Sequence, residues 1–139
     1  MIFWDSSALV ALLVEETESA ARRTQLEGDP DLAVWWGTPV ECESALQRRL
    51  REGSLPAADA KLARERLADL AAAWHEVNAT AAVRKLALRL LRTHPLRAAD
   101  SLQLAAALAM ENAGVLNLRF ACADQHLATA AELEGLSCL

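Results

Sequence analysis

Short apolar runs alternate with longer amphipathic stretches along the whole chain. Met1–Trp4 is apolar, ends at Asp5 and predicts a buried strand. Ser6 or Ser7 then caps a helix through Ala8–Leu13. Glu18–Glu27 predicts a second helix, stopped by Gly28-Asp29-Pro30. Leu32–Trp36 predicts a second strand. Gly37-Thr38-Pro39 opens the next helix, with Thr38 as N-cap and Pro39 at the first helical position, and it runs to Arg51. Another helix starts at Ser54-Leu55-Pro56 and reaches about Ala73, and a third strand is predicted over Trp74–Asn78. Thr80–Arg92 is helical and ends at His94-Pro95. Leu96–Asn112 is a long Ala-rich helix stopped by Gly114. Leu118–Ala123 is a strand running into Asp124, Gln125–Glu134 a helix, and Leu136–Leu139 a last edge strand.

Strands separated by helical crossovers imply a parallel sheet covered on both faces. The expected fold is therefore a three-layer α/β/α domain, rich in helix, spanning residues 1–139 as one unit. A length of 139 residues suits one core. Composition agrees: 30 Ala and 25 Leu stand against 7 Val and 1 Ile, which argues strongly against an all-β fold. The three cysteines, Cys42, Cys122 and Cys138, are widely spaced with no CxxC, so they read as reduced buried thiols. The longest apolar runs, Ala8–Val14 and Leu104–Met110, have seven residues each, against the roughly 18–20 that span a bilayer. The first residues lack the basic region of a signal peptide, and a cytoplasmic protein is expected.

The carboxylates carry the chemistry. Ligands of open parallel sheets bind beyond the carboxyl ends of the strands. Asp5 closes the first strand and Asp124 the late one, so parallel pairing puts both on one rim. Glu41 falls in the first turn of the helix after the second strand. Asp100 falls near the start of the long Ala-rich helix, on a stripe with Leu104, Ala107 and Leu108. Singly, each has a plain structural role as a cap or a partner of the helix dipole. Together they would repel one another, so one must stay protonated or a cation must sit among them. All-oxygen ligation favours Mg²⁺ or Mn²⁺.

These residues carry a resemblance. Ile2-Phe3-Trp4-Asp5-Ser6-Ser7-Ala8-Leu9, Thr38-Pro39-Val40-Glu41-Cys42-Glu43-Ser44-Ala45-Leu46, Leu96 to Ala107 around Asp100, and Phe120-Ala121-Cys122-Ala123-Asp124-Gln125-His126-Leu127 occur in the order and at about the spacing of PIN-domain ribonucleases. Within them the chain resembles the VapC-like toxins of type II toxin–antitoxin modules. The resemblance implies four acids, Asp5, Glu41, Asp100 and Asp124, with Ser6 as an auxiliary hydroxyl. Glu43 competes with Glu41 for the second place. The family often carries Ser or Thr two residues before the last acid, where this chain has Cys122.

The resemblance also implies a Mg²⁺- or Mn²⁺-dependent endoribonuclease. Asp5, Glu41 and Asp100 would be core metal ligands, and Asp124 would ligate a second ion or position the attacking water. Single-stranded or loop RNA is the expected substrate, met by Arg48, Arg49 and Arg97. A cognate antitoxin and a homodimer are the expected partners. An alternative is a PIN-like protein that binds RNA or antitoxin without cleaving. Other α/β classes lack support: there is no GxGxxG for a dinucleotide, and no Asp-x-Asp after the first strand for a phosphatase of the haloacid-dehalogenase type. The net charge of −5 first suggests a poor nucleic-acid binder. Setting aside the four candidate ligands leaves 15 acids against 14 bases, close to neutral.

Overall fold

The computed structural model describes residues 1–139. In chain order the elements are β1 (Ile2–Trp4), α1 (Ser6–Leu13), α2 (Ser19–Gly28), β2 (Leu32–Trp35), α3 (Thr38–Arg51) and α4 (Ala57–Ala71). Then follow β3 (His75–Val77), α5 (Ala81–Thr93), α6 (Ala98–Asn112), β4 (Arg119–Ala121), α7 (Gln125–Leu133) and β5 (Ser137–Cys138). The five strands form one sheet in the order β3-β2-β1-β4-β5, and every pairing is parallel. The expected α/β/α architecture is therefore present, with every expected element in its place.

Alternation along the strands sorts the core onto the two sheet faces. Ile2 and Trp4 of β1 point to one side, with Leu32 and Val34 of β2, and pack under α1, α3 and α4. Phe3, Ala33, Trp35 and Phe120 point to the other side and pack under α5, α6 and α7. The Phe3 and Phe120 rings stack across the β1–β4 pair with centroids 5.6 Å apart. Both faces are apolar, which is why the central strands read as continuous apolar runs. The edge strand β3 carries the exposed His75 and Glu76.

From β1 the chain winds outward through β2 and β3, then returns to place β4 on the other side of β1. The β1–β4 junction is thus the point where the winding reverses, the usual location of a ligand crevice in such sheets. Asp5 follows β1 and Asp124 follows β4 at this junction.

Two helix N-caps differ from the sequence expectation. The N-cap of α1 is Asp5, not Ser6 or Ser7: Asp5 is extended, and its carboxylate accepts from the Ser7 backbone N–H. Both serines are thereby inside the helix, and their hydroxyls are available to other partners. The N-cap of α3 is Gly37, and Thr38 is already helical and fully buried. Gly37 is required by close approach, since a Cβ there would meet Nε1 of Trp35 at 2.5 Å. The tight exit from β2 into α3 rests on that missing side chain, and it fixes the first turn that carries Glu41. Trp35 is buried, whereas Trp36 is 56% exposed.

Candidate functional site

An open cleft of about 530 Å³ lies over the carboxyl edge of the sheet. Asp5, Glu41, Asp100 and Asp124 all line it, as do Ser6, Arg48, Arg49 and Arg97. The four acids, Ser6 and the three arginines named from the sequence therefore border one cleft, and of the candidates only Glu43 does not. Four separate segments bring them there: the β1–α1 junction, the first half of α3, the start of α6 and the β4–α7 junction.

Each carboxylate is held by local donors. Asp5 is 4% exposed, and one of its oxygens accepts from both the backbone N–H and the hydroxyl of Ser7. The Ser7 hydroxyl also accepts from the backbone N–H of Ala123, at 2.9 Å, next to Asp124. Glu41 accepts from the Ser6 hydroxyl at 2.7 Å and from the Gln103 amide at 3.2 Å. Asp100 accepts from the backbone N–H of Arg97 at 3.2 Å and faces its guanidinium at 3.3 Å. That Arg97 side chain is 83% exposed, so the pair is well screened. Asp124 caps α7 by accepting from the Leu127 N–H at 2.9 Å.

Neither Asp5 nor Glu41 is bonded to a basic side chain. Burial pushes the Asp5 carboxyl up to about 6, against the pull of its Ser7 hydrogen bonds, and the charges of Glu41 and Asp100 push it further. Burial also raises Glu41, aided by repulsion from Asp100 and opposed by Ser6 and Gln103. Three acids thus sense one another in a poorly hydrated place, which is the electrostatic setting that a divalent cation relieves. The oxygen-only donor set suits Mg²⁺ or Mn²⁺. No three of these side chains lie close enough to share one ion directly, and Mg²⁺, which dehydrates reluctantly, is held largely through its waters.

Glu43 points elsewhere. It is bidentate with Arg64 of α4 at 2.8–2.9 Å and accepts from Gln47, which holds its carboxyl below the usual range. It does not line the cleft. Of the arginines, Arg49 is engaged with Glu16 at 2.6 Å. Cys122 is buried, and burial pushes its thiol up to about 12.

Sequence reasoning passed over Ser7 and Gln103. Ser7 links Asp5 to the turn bearing Asp124. Gln103 follows Asp100 by one helical turn, a lone amide among Leu104, Ala105 and Ala106. That polar position on an apolar stripe was a readable signal.

Comparison with known proteins gives the family and the fold. The family model for the PIN domain matches residues 2–117, a span that includes three of the four acids and stops short of Asp124. Ribonuclease VapC45 of Mycobacterium tuberculosis is 34% identical over 148 residues, covering 97% of this chain and 92% of that protein. Among solved structures, PAE2754 from Pyrobaculum aerophilum superposes with a TM-score of 0.68 at 21% identity, over 99% of this chain and 89% of that one. Mycobacterium tuberculosis VapC20, described as a Sarcin-Ricin loop cleaving toxin, superposes with a TM-score of 0.69 at 18% identity, over 94% and 95%. At those identities the superpositions speak for the fold.

Proposed function

Because the chain belongs to the PIN-domain family, with a VapC ribonuclease as a relative along nearly its whole length, we propose that it is a Mg²⁺- or Mn²⁺-dependent endoribonuclease. In this reading it is the toxin of a toxin–antitoxin pair, cutting RNA in the cytoplasm to stop translation and growth. Its partners are the RNA substrate, a cognate antitoxin protein and a second copy of itself. The observation that carries the reading is the lining of one cleft by four carboxylates, of which Asp5 and Glu41 are raised by burial and have no basic side chain bonded to them.

Asp5, Glu41 and Asp100 would hold the ion, and Asp124 would take a second ion or orient the attacking water. When bound, Mg²⁺ or Mn²⁺ eases deprotonation of that water and offsets the charge that builds on the phosphodiester. The protein supplies the rest. Ser7 fixes the rotation of Asp5, and Ser6 does the same for Glu41. Arg48 and Arg97, both exposed on the cleft, would bind flanking phosphates as strong donors. Arg49 would join them only by leaving Glu16.

The test is cleavage of a single-stranded or hairpin RNA with Mg²⁺ or Mn²⁺, with and without chelator. Asp100→Asn should lower the rate about a thousandfold, equivalent to ~4 kcal/mol of lost transition-state charge stabilisation. Chelator should abolish cleavage by the unaltered chain. Equal rates for the two proteins, or cleavage indifferent to chelator, would sink the assignment.

A further inference from the structure

We propose that Gln103 is a positioning residue for Glu41, its amide fixing that carboxylate from inside the core while the other oxygen is fixed from the cleft side. The inference rests on the acidic-site reading above. Gln103 is 0% exposed, on α6, and its Nε2 lies 3.2 Å from Glu41 Oε1 and 3.3 Å from Thr38 Oγ1. Its own Oε1 has no hydrogen-bond partner.

That orphan oxygen is the informative feature. A buried carbonyl without a donor lowers stability. An apolar side chain of the same length would fill the space without that loss. What glutamine adds at this position is the donor. The opposite amide orientation would set its oxygen against a carboxylate oxygen, two acceptors face to face, so only the orientation seen gives Glu41 a partner.

The consequence is a two-sided grip. Ser6 of α1 donates to Glu41 Oε2 and Gln103 of α6 donates to Oε1, so both oxygens are bound and the carboxylate cannot rotate. Because Asp100 and Gln103 share one helix, the position of Glu41 relative to Asp100 is set by α6 itself. An NH₂ group donates and never accepts, so it favours the charged carboxylate. Donors of this kind, one step behind a metal ligand, orient the ligand without touching the metal.

Gln103→Met tests this, since Met keeps the volume and the helix preference. Mn²⁺ is titrated onto the purified full chain by calorimetry, beside thermal unfolding without metal. The expected result is an unfolding midpoint at or above that of the unaltered chain, with Mn²⁺ affinity weakened about 10–100-fold. In a Glu41→Ala background, Gln103→Met should change Mn²⁺ affinity no further, because its effect runs through Glu41. Unaltered Mn²⁺ affinity in folded Gln103→Met overturns the positioning role, whatever its midpoint, and so does an additive loss in the double variant. If Glu41→Ala alone binds Mn²⁺ as well as the unaltered chain does, it is the acidic-site reading that fails.

Discussion

Two acids at the amino edge of the sheet and the two inner acids at its carboxyl edge, Asp5 and Glu41, are treated in opposite ways. At the amino edge, Asp29 accepts from the Met1 ammonium at 2.6 Å and from Arg119 at 2.8 Å, and these partners hold its carboxyl below the usual range. Glu134, at the end of α7, is gripped by Arg89 at 2.6 Å and His94 at 2.7 Å and falls to about 2. At the carboxyl edge, Asp5 is nearly inaccessible, and no basic side chain bonds to it. It rises to about 6 instead of falling, chiefly through burial. Acids that serve the fold are matched by cations within it. Acids buried without a match cost stability, and they gather on the rim where the chain reverses its winding. That imbalance separates a functional carboxylate from a structural one.

Exchanging one acid from each class gives the largest contrast. Asp5→Asn should lower RNA cleavage about a thousandfold, as ~4 kcal/mol of charge stabilisation is lost. The metal-free fold should be as stable as before or more so, since a buried charge is gone. Glu134→Gln should do the reverse. Its partly exposed pairs with Arg89 and His94 contribute roughly 1 kcal/mol, so the midpoint falls by about 3–5 °C while cleavage holds. A Glu134→Gln variant that loses cleavage, or an Asp5→Asn variant that keeps it, would erase the distinction between the edges.

The distinction also has a pH signature of defined sign. Folded Asp5 titrates near 6, above its ordinary value of 3.8, so the folded state retains a proton that the unfolded chain releases. Stability must therefore rise as pH falls through 6, by about 1–2 kcal/mol between pH 7.5 and 5. Glu134 has the opposite linkage, but its contribution is lost only below about 4.5, outside this window. The metal-free midpoint should climb by several degrees from pH 7.5 to 5, and Asp5→Asn should flatten the climb. Mn²⁺ at a hundred times its Kd should add about 2.7 kcal/mol at pH 7.5, and the same Mn²⁺ concentration less at pH 5, where Asp5 holds a proton. A midpoint that falls steadily over this range would contradict the burial assigned to Asp5.

What the chain discloses without coordinates follows the range of the interactions. Apolar strands, helix stops at Gly28-Asp29-Pro30 and Gly114, and acids at strand ends are local patterns, and they located the sheet and its rim. Caps were less legible. Asp5, Ser6 and Ser7 are three adjacent polar residues, each able to cap, and the choice depends on Ser6 bonding Glu41, 35 residues away. Gln103 is visible as a polar position on an apolar stripe, but its role is not, because its partner Glu41 lies 62 residues earlier. The alternation rule that finds an apolar stripe has no place for one amide whose meaning lies on another helix.

The choice between Glu41 and Glu43 yields the smallest effect and the sharpest control. Two residues on a helix are about 200° apart, so when one faces the cleft the other faces away. Glu43 faces α4 and pairs with Arg64, each side chain 41% exposed. An exposed pair contributes about 0.2–1 kcal/mol, so Glu43→Gln should lower the midpoint by a few degrees at most and leave the cleavage rate within about twofold. Glu41→Gln, which keeps the shape but removes the charge, should lose cleavage on the scale of Asp5→Asn. The same α3 thus carries a matched and an unmatched acid two residues apart. If Glu43→Gln proved the more damaging to cleavage, the unmatched acid would not be the functional one, and the logic drawn from the two edges of the sheet would fail on a single helix.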